Sequence, residues 1–483
     1  MHPLWNQISR ALDPDRALQT TMSGLIEATA MRRARAFDGE RWTPGSPLKL
    51  LLAGYVGTRN TGADVRVAEM IRQFRHILGA ENTAITVMSV DPSRSAGYFP
   101  GVRQVTLPSV FPRFLYTECP QHHGVISCEG SMFKSKFADA LSTMMAGSLG
   151  MASAEGKIAI GYGAEAGAMS PSLRAFVARH AREALIICRN EPSRDVLEGM
   201  GIRHTSGADT AWTFDPAPPE RGEELLRKAG WDGKKRVLAI CPVNPFWWPV
   251  KPDLFKAAAL HLTGQHRDAH YKSVYFHHMS EESRNQNNAY LDALAGAVAD
   301  FQKDHDAFPI LVGMEALDRP ACVGLQERLK GGAPLFISDE HDMFDLVSVI
   351  RHARMMVSSR YHAMVTSMPA GVPSAGVTID ERIPNLLAER GHPELGLTVE
   401  DPNLRERLRG VLQVLHDEEE RLRSETLAAV PAQLARMADM GRAFVEEIQR
   451  FHPELPIVAT GSSDEAWLPP LPSSLRNSLE RAA

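Results

Sequence analysis

The stretch "MMVSSRYHAMVTSMPAGVPSAGV", residues 355–377, contains the pattern that decides the fold. An apolar run is followed by a polar turn with Arg360 and His362, then by a small-residue helical segment and a second apolar run. A strand, a helix and another strand in this order form a βαβ unit with parallel strands. We therefore expect Arg360 and His362 at the carboxyl end of a buried strand, where open α/β sheets bind their ligands.

The same alternation of apolar runs and helical segments extends over two long stretches of the chain. The first series of predicted strands is "LKLLLAG", "AITVMSV", "HGVISC", "KIAIGYG", "EALIICR" and "HTSGAD". The second is "VLAICPV", "SVYFHHM", "FPILVG", "PLFIS", "RMMVSS" and "PSAGVTI". This pattern predicts an α/β protein with two Rossmann-like, doubly wound domains that face each other across a cleft, and with extra terminal helices.

The domain boundaries follow from changes in composition along the chain. A segment rich in proline and charge, "DPAPPERGEELLRKAGWDGKKR", separates the two series, and the last residues are rich in proline and serine. The predicted organisation is a helical extension at 1–47, a first Rossmann-like domain at 48–215, a linker at 216–235, a second such domain with the R-x-H motif at 236–395, charged helices at 396–455 and a flexible tail at 456–483.

The composition excludes several classes of protein. The chain has 483 residues, 44% of them hydrophobic, and a formal net charge of −5, which is unlike a protein that mainly binds nucleic acid. The sequence contains no run of 18 apolar residues, so no transmembrane helix is predicted. The opening residues lack the charged and apolar regions of a signal peptide, so we expect a cytoplasmic protein. The five cysteines form no CxxC pair, and adjacent histidines in a strand point to opposite faces, so no metal site is predicted.

Glycines cluster between the first predicted strand and its helix. Gly54, Gly57 and Gly62 let a backbone approach a ligand, and free N–H groups at the helix start can hold an anion. The spacing fits neither a Walker loop nor a dinucleotide fingerprint, so a purely structural turn is an equal alternative. Gly130 and Ser131, at another strand end, indicate that the same edge of the sheet leaves room for a ligand.

Charged residues at three strand ends complete the candidate site. Arg189 ends the "EALIICR" strand, and its planar fork suits a carboxylate or a phosphate, although a salt bridge to Glu191 or Asp195 is the structural alternative. Arg360 and His362 combine a cation with a titratable imidazole, which is suited to holding an anion while a proton moves. A further charged pair, Asp380 and Arg382, follows the next strand, and both residues, together with His277, are candidates for binding substrate.

These motifs resemble the polysaccharide pyruvyl transferase family over residues 49–391. The opening G-Y-x-G-x-x-N-x-G, the "CRNEPSRDVLEGMGI" segment and above all the R-x-H-A followed by A-x-G-V-P in "ARMMVSSRYHAMVTSMPAGVPSAGVTID" carry the resemblance. The sequence departs from the family pattern at 128–130, which is Cys-Glu-Gly instead of three glycines, and at 62–64, which is Gly-Ala-Asp. These departures affect the expected substrate more than the expected fold.

The resemblance implies a glycosyltransferase-B-like pair of domains and a reaction. In that family, pyruvate passes from phosphoenolpyruvate to a sugar as a cyclic ketal, without a cofactor. By resemblance Arg189 and Arg360 bind the carboxylate and phosphate of the donor, and His362 acts as general acid or base. The residues expected around the donor phosphate are Gly54, Gly57, Asn60, Gly62, Gly130 and Ser131.

The sequence leaves the acceptor and two alternative functions open. The expected acceptor is a sugar, a sugar nucleotide or a lipid-linked glycan in polysaccharide or exopolysaccharide biosynthesis. A second copy of the chain, in a homo-oligomer, is a further candidate partner. A nucleotide-sugar glycosyltransferase of the same fold is the first alternative, because Asp380 and Glu381 follow the histidine where such enzymes hold the ribose hydroxyls. A non-catalytic protein that binds an anion or a sugar is the second alternative. The charged helices after residue 400 are expected to exchange between domains, form a dimer interface or cover the cleft.

Overall fold

The structure is a computed structural model of the chain, and it describes residues 13–35, 39–263 and 274–482. Parts of the predicted helical extension, residues 1–12 and 36–38, therefore lie outside the described residues. Two parallel sheets form the core, with seven and six strands, and helices cover them. The predicted fold class, an α/β protein with two doubly wound domains, is confirmed.

The first sheet has the strand order β3-β2-β1-β4-β5-β6-β7, and all its strands are parallel. The residues of β1, β4 and β5 are almost entirely buried and apolar, as expected for strands that are covered on both faces. Its elements are α1 (Pro14–Ala34), β1 (Leu48–Val56), α2 (Thr61–Leu78), β2 (Thr83–Ser89), β3 (Arg103–Thr106), α3 (Pro112–Glu118), β4 (Gly124–Ser127), α4 (Asp139–Ala154), β5 (Ile158–Ala164), α5 (Pro171–His180), β6 (Leu185–Cys188), α6 (Glu191–Glu198) and β7 (His204–Ser206).

The second sheet has the order β12-β11-β8-β13-β14-β15 and is also parallel. Its elements, with those that lead into it, are α7 (Pro219–Lys228), β8 (Arg236–Cys241), β9 (Lys251–Pro252), α8 (Leu254–Thr263), β10 (Tyr275–Phe276), α9 (Glu281–Asp304), β11 (Ala307–Gly313), α10 (Arg319–Arg328), β12 (Leu335–Ile337), α11 (Met343–Arg351), β13 (Met355–Ser358), α12 (Tyr361–Ser367), β14 (Ser374–Thr378), α13 (Arg382–Glu389) and β15 (Gly396–Thr398). In each sheet the strand order reverses once, between β1 and β4 and between β8 and β13. A ligand crevice is expected beyond the carboxyl ends of those strands.

Two predicted segments around the second sheet differ from the structure. The "SVYFHHM" run does not join the sheet, because β10 pairs antiparallel with β9 as a separate two-stranded ribbon. The predicted linker contains α7, whose Leu226 is buried. Residue 273 of that run lies outside the described residues.

The predicted flexible tail is packed against both the first domain and the helices that follow the second sheet. Its backbone N–H groups at Val458 and Ala459 both donate to the carbonyl of Ile77, and Leu468 and Leu475 are each 2% exposed. The last helix, α17, begins here (Ser473–Ala482). Buried leucines and backbone hydrogen bonds outweigh the proline- and serine-rich composition on which the prediction rested.

The third of the helices that follow the second sheet returns to the first domain. α14 (Leu404–Asp417) packs on α9, and α15 (Glu419–Ala428) leads into α16 (Val430–Phe451). On α16, Phe444 stacks on Phe74 of α2 with 4.2 Å between ring centroids, and Gln73 donates to the carbonyl of Met437 at 3.0 Å. The exchange between domains, one of the three expected roles, is therefore observed for α16.

Candidate functional site

One cavity, with a volume of about 200 Å³, lies between the carboxyl ends of the two sheets. It opens at both points where the strand order reverses, as the topology predicts. Its walls include eight of the predicted site residues: Asn60, Gly62, Gly130, Ser131, Arg189, Arg360, His362 and Arg382. The structure thus brings these eight residues together around one cavity. Their chemical roles stay predictions.

His362 reaches the cavity from the second residue of α12. The turn before the helix is held by Ser358, whose hydroxyl donates to the Arg360 carbonyl at 2.8 Å and accepts from the Arg360 N–H at 2.9 Å. Nε2 of His362 lies 3.3 Å from Oδ2 of Asp209. An ideal Cβ built at Gly62 would lie 2.2 Å from Nδ1 of His362. Only a glycine at the start of α2 therefore admits the imidazole between the two domains.

The surroundings of His362 fix its protonation state. Burial lowers the pKa of His362 to about 4, and this outweighs the nearby Asp209 carboxylate, which raises it. At neutral pH the imidazole is thus uncharged. When Nε2–H donates to Asp209, the lone pair is on Nδ1, and Nδ1 is the atom able to accept a proton.

Arg189 is anchored by two buried carboxylates. Its Nε donates to Oε2 of Glu165 at 2.8 Å, its Nη1 donates to Oδ2 of Asp209 at 2.8 Å, and its side chain is 1% exposed. Glu191, proposed as its alternative partner, pairs with Arg194 instead. Burial alone would raise the pKa of Glu165, but Arg189 and Lys134 together lower it by more than burial raises it, so the carboxylate stays ionised.

Arg360 is held in the same way by the second domain. Its Nε donates to both oxygens of Asp318, at 3.1 and 2.9 Å, and its Nη2 donates to Glu315 at 3.0 Å. Asp318 is fully buried, and burial raises the pKa of its carboxyl to about 6 despite Arg360. Both predicted donor arginines therefore present a guanidinium whose orientation is already fixed by protein carboxylates.

Two of the predicted anion-binding features have structural roles. Asn60 caps α2 by accepting from the Ala63 N–H at 3.3 Å, and the Thr61 N–H donates to the carbonyl of Met314 at 2.8 Å. These N–H groups at the start of α2 are thus already satisfied by the protein. Gly57, with a φ of 78°, forms the turn before α2.

The remaining predicted residues divide between the cavity and its surroundings. Gly54 lies within β1, where a Cβ would come within 2.3 Å of the Cys128 sulfur, so it serves packing. Asp380 does not line the cavity but accepts from Nε of Arg382 at 2.7 Å, which orients Arg382 at the cavity wall. His277 lies behind that wall, 4.4 Å from the ring of Trp248. The segment after it is the N-terminal start of α9, capped by Ser280.

Two buried carboxyl groups, Glu129 and Asp64, lie at or near the cavity. Glu129 lines it and accepts from the Tyr55 N–H at 2.8 Å, and burial raises the pKa of the Glu129 carboxyl. Burial also raises the pKa of Asp64 to about 8. A carboxyl with a raised pKa keeps its proton to a higher pH, so Glu129 at the cavity wall is suited to donate a proton.

The sequence did not single out the residues that anchor the arginines, Glu165, Asp209, Glu315 and Asp318. Glu165, Asp209 and Glu315 each follow a strand of one of the two parallel sheets by one to three residues. The same signal that identified Arg189 would have found them, because side chains that follow parallel strands meet at one edge of the sheet. Arg66 of α2, which contacts Asp209, carried no such signal.

The sequence comparisons agree with the resemblance. The sequence model of the polysaccharide pyruvyl transferase family matches residues 145–381, the segment that contains Arg189, Arg360 and His362. The resemblance to this family and the assignment of the chain as a transferase are thus confirmed over that segment. No curated protein shows significant similarity to the sequence.

Solved structures of low sequence identity share the fold. A protein of Listeria monocytogenes described as a UDP-N-acetylglucosamine 2-epimerase has a TM-score of 0.52 and 11% identity, covering 83% of this chain and 97% of its own. HepE of Anabaena in complex with UDP-glucose has a TM-score of 0.52 and 10% identity, covering 83% and 100%. MnaA of S. aureus with UDP has a TM-score of 0.51 and 11% identity, covering 86% and 99%. At these identities the likeness concerns the fold alone.

Among the described residues, no helix is both long and apolar enough to cross a membrane.

Proposed function

We propose that the protein transfers the enolpyruvyl group of phosphoenolpyruvate onto two hydroxyls of a sugar or glycan precursor and forms a pyruvate ketal, in polysaccharide or cell-surface glycan biosynthesis. The observation that supports this most is the convergence of Arg189, Arg360 and His362 on one cavity within the segment that matches the family. Phosphoenolpyruvate is a small, multiply charged anion, and oriented guanidinium groups are suited to bind its carboxylate and phosphate. No cofactor takes part in this scheme.

The reaction needs one group that donates a proton to carbon and one that removes a proton from oxygen. Burial raises the pKa of the Glu129 carboxyl and so favours its protonated form, and from that form Glu129 gives a proton to the methylene carbon, which makes C2 electrophilic. The first acceptor hydroxyl attacks C2 while Nδ1 of neutral His362 takes its proton. The C2–O bond to phosphate then breaks, phosphate departs with its electron pair, and the second hydroxyl closes the ketal. The proton of that hydroxyl returns to Glu129, and the proton on His362 leaves with phosphate.

The acceptor fits the other half of the cavity. That half is apolar and aromatic, with Phe137 and Trp248 in an edge-to-face pair whose centroids are 5.2 Å apart. The indole N–H of Trp248 has no hydrogen-bond partner among the residues that the structure describes. Aromatic walls with few polar groups are typical of sites for rings that carry hydroxyls. Trp248→Ala should raise KM for the acceptor at least tenfold and leave KM for phosphoenolpyruvate within twofold, measured by phosphate release.

A nucleotide-sugar glycosyltransferase remains the second candidate because two solved structures of this fold contain UDP-glucose or UDP. The carboxylates expected to hold a ribose are already paired: Asp380 binds Arg382, and Glu381 lies 2.8 Å from Lys134. This arrangement favours the ketal reaction.

The decisive experiment supplies the purified protein with phosphoenolpyruvate and a panel of sugars, sugar nucleotides and lipid-linked glycans. The expected result is release of inorganic phosphate together with an acceptor whose mass increases by a pyruvyl ketal. His362→Gln is the negative control. If no acceptor elicits phosphate release while a UDP-sugar is consumed, the glycosyltransferase function replaces the proposal.

A further inference from the structure

Arg66 is a buried arginine beside the cavity that the scheme above does not use. It lies on α2 and is 1% exposed. Its Nη2 donates to the carbonyls of Tyr162 and Gly163 at 3.0 and 2.9 Å. Its Nε lies 3.4 Å from Oδ2 of Asp209. A buried guanidinium without compensation is costly, so its position must be matched to these partners.

The Asp209 carboxylate connects Arg66 to the rest of the site. Oδ1 accepts from the Ala211 N–H at 3.0 Å. Oδ2 faces three side chains: Arg189 Nη1 at 2.8 Å, His362 Nε2 at 3.3 Å and Arg66 Nε at 3.4 Å. Burial would raise the pKa of Asp209, but Arg66, His362 and Arg189 lower it well below its usual range. The carboxylate therefore stays ionised and holds these three groups in one arrangement.

Gly130 provides the space in which the two arginines approach the cavity. An ideal Cβ at Gly130 would lie 2.5 Å from Nη1 of Arg66 and 2.6 Å from Nη1 of Arg189. Two nitrogens this close to one point are at most about 5 Å apart, so one oxygen can lie within about 2.9 Å of both. Nη1 of Arg66 has no hydrogen-bond partner among the described residues, and Gly130 is part of the cavity wall.

We infer that Arg66 is a positioning residue of this cavity: it fixes the Asp209 carboxylate between Arg189 and His362, and beside Gly130 it adds a second guanidinium toward a bound carboxylate or phosphate. The identity of the bound anion rests on the proposed function. The positioning of His362 by Asp209 and Arg66 does not depend on that function.

The charges around His362 give this role a measurable sign. Three groups from three elements face the imidazole: Asp209 after β7, which raises its pKa, and Arg189 after β6 and Arg66 of α2, which both lower it. Tyr361 is its neighbour on α12, with 5.1 Å between the rings. Removing the Arg66 charge leaves Asp209 less compensated, so the pKa of His362 should rise by about one unit from about 4.

The test compares Arg66→Met, Arg66→Lys and a matched control, Arg75→Met. Arg75 is also on α2 and also donates to two carbonyls, of Pro100 and Gly101, but these are on the surface. The pKa of His362 is followed by NMR in protein labelled at histidine, with His362→Gln to assign the signal. Binding of inorganic phosphate and of phosphoenolpyruvate is measured by calorimetry.

We expect Arg66→Met to raise the His362 pKa by about one unit and to weaken binding of both anions at least tenfold. Arg66→Lys should keep the pKa within half a unit of the unmodified protein, because the charge remains, but should still weaken binding, because lysine has no fork. Arg75→Met should change neither. An unchanged His362 pKa in folded Arg66→Met overturns the positioning role.

Gly130→Ala keeps the test decisive if Arg66→Met does not fold. The added Cβ displaces both guanidinium groups but leaves their charges, so phosphate affinity should fall at least tenfold while the melting temperature changes by only a few degrees. Unchanged affinity overturns the anion-binding part. If phosphate binds and the His362 pKa moves as expected, but no ketal forms with any acceptor, the proposed function fails and this inference stands.

Discussion

Gly62→Ala tests whether the contact between the domains at His362 determines activity. A Cβ at position 62 would lie 2.2 Å from Nδ1, 2.5 Å from Cγ and 2.8 Å from Cβ of His362. Because its Cβ is also too close, a rotation of the ring alone cannot relieve the clash, and α2 and α12 must separate. Overpacking of this kind costs about 1–3 kcal/mol, and a displacement near 1 Å at a reacting group can cost about 10²-fold in rate.

The assay is steady-state phosphate release from phosphoenolpyruvate, with urea unfolding measured in parallel. We expect kcat/KM to fall about 10²-fold and the free energy of unfolding to fall by about 1–3 kcal/mol. Gly410→Ala is the matched control, because it is an exposed helical glycine with no heavy atom within 4 Å of its ideal Cβ. That variant should be fully active and slightly more stable. Full activity in Gly62→Ala would refute the assignment of the His362 contact to the active site.

Three further predictions concern charge and packing. Arg360→Lys should lower kcat/KM about 10²-fold. Arg360→Met should also lower the free energy of unfolding by about 3 kcal/mol, because Asp318 loses its partner in a buried position. Equal stability of the Met variant and the unmodified protein in urea would contradict this. The pKa of His362 is about 4 in the folded chain and 6.5 when exposed, so the unfolded chain binds the proton first as pH falls. The stabilisation from neutral His362 is therefore present above pH 6.5 and is lost as pH falls toward 4. The difference in free energy of unfolding between unmodified protein and His362→Gln should change by about 3 kcal/mol over that interval. Removal of residues 456–483 should lower the melting temperature in a thermal-shift assay, because the stabilisation of about 3 kcal/mol from burying Leu468 and Leu475 is removed with the segment; an unchanged melting temperature would show that the segment is a loose tail.

Strand ends were the most informative feature of the sequence. Buried parallel strands are short apolar runs, so the residue after each run can be placed at one edge of a sheet without knowing the rest of the fold. That reasoning brought Arg189, Arg360 and His362 to one cavity. Applied to every strand, it would also have placed Glu165 and Asp209 beside Arg189.

Features that depend on contacts between distant segments could not be predicted from the sequence. Arg66 lies in the middle of an amphipathic helix, where an arginine is usually solvated, and only the approach of Asp209 and Gly130 shows that it is buried. The tail at 456–483 has the composition of a disordered segment, but the carbonyl of Ile77 and the surface of α2 give it partners. Such partners are set by tertiary structure and leave no local pattern.

One physical cause favours both an acid and a base in the same cavity. Burial disfavours the charged form of every titratable group, so it acts in opposite directions on the two kinds of side chain. It lowers the pKa of His362 to about 4, so the imidazole is uncharged near pH 7, and it raises the pKa of the Glu129 carboxyl, which favours the protonated form of that group. A neutral imidazole can accept a proton and a neutral carboxyl can donate one, which is the division that enolpyruvyl transfer requires. The ionised carboxylates Asp209 and Glu165 do not enter this exchange, because Arg66, Arg189 and Lys134 keep them charged and so keep them as fixed supports for the groups that move protons.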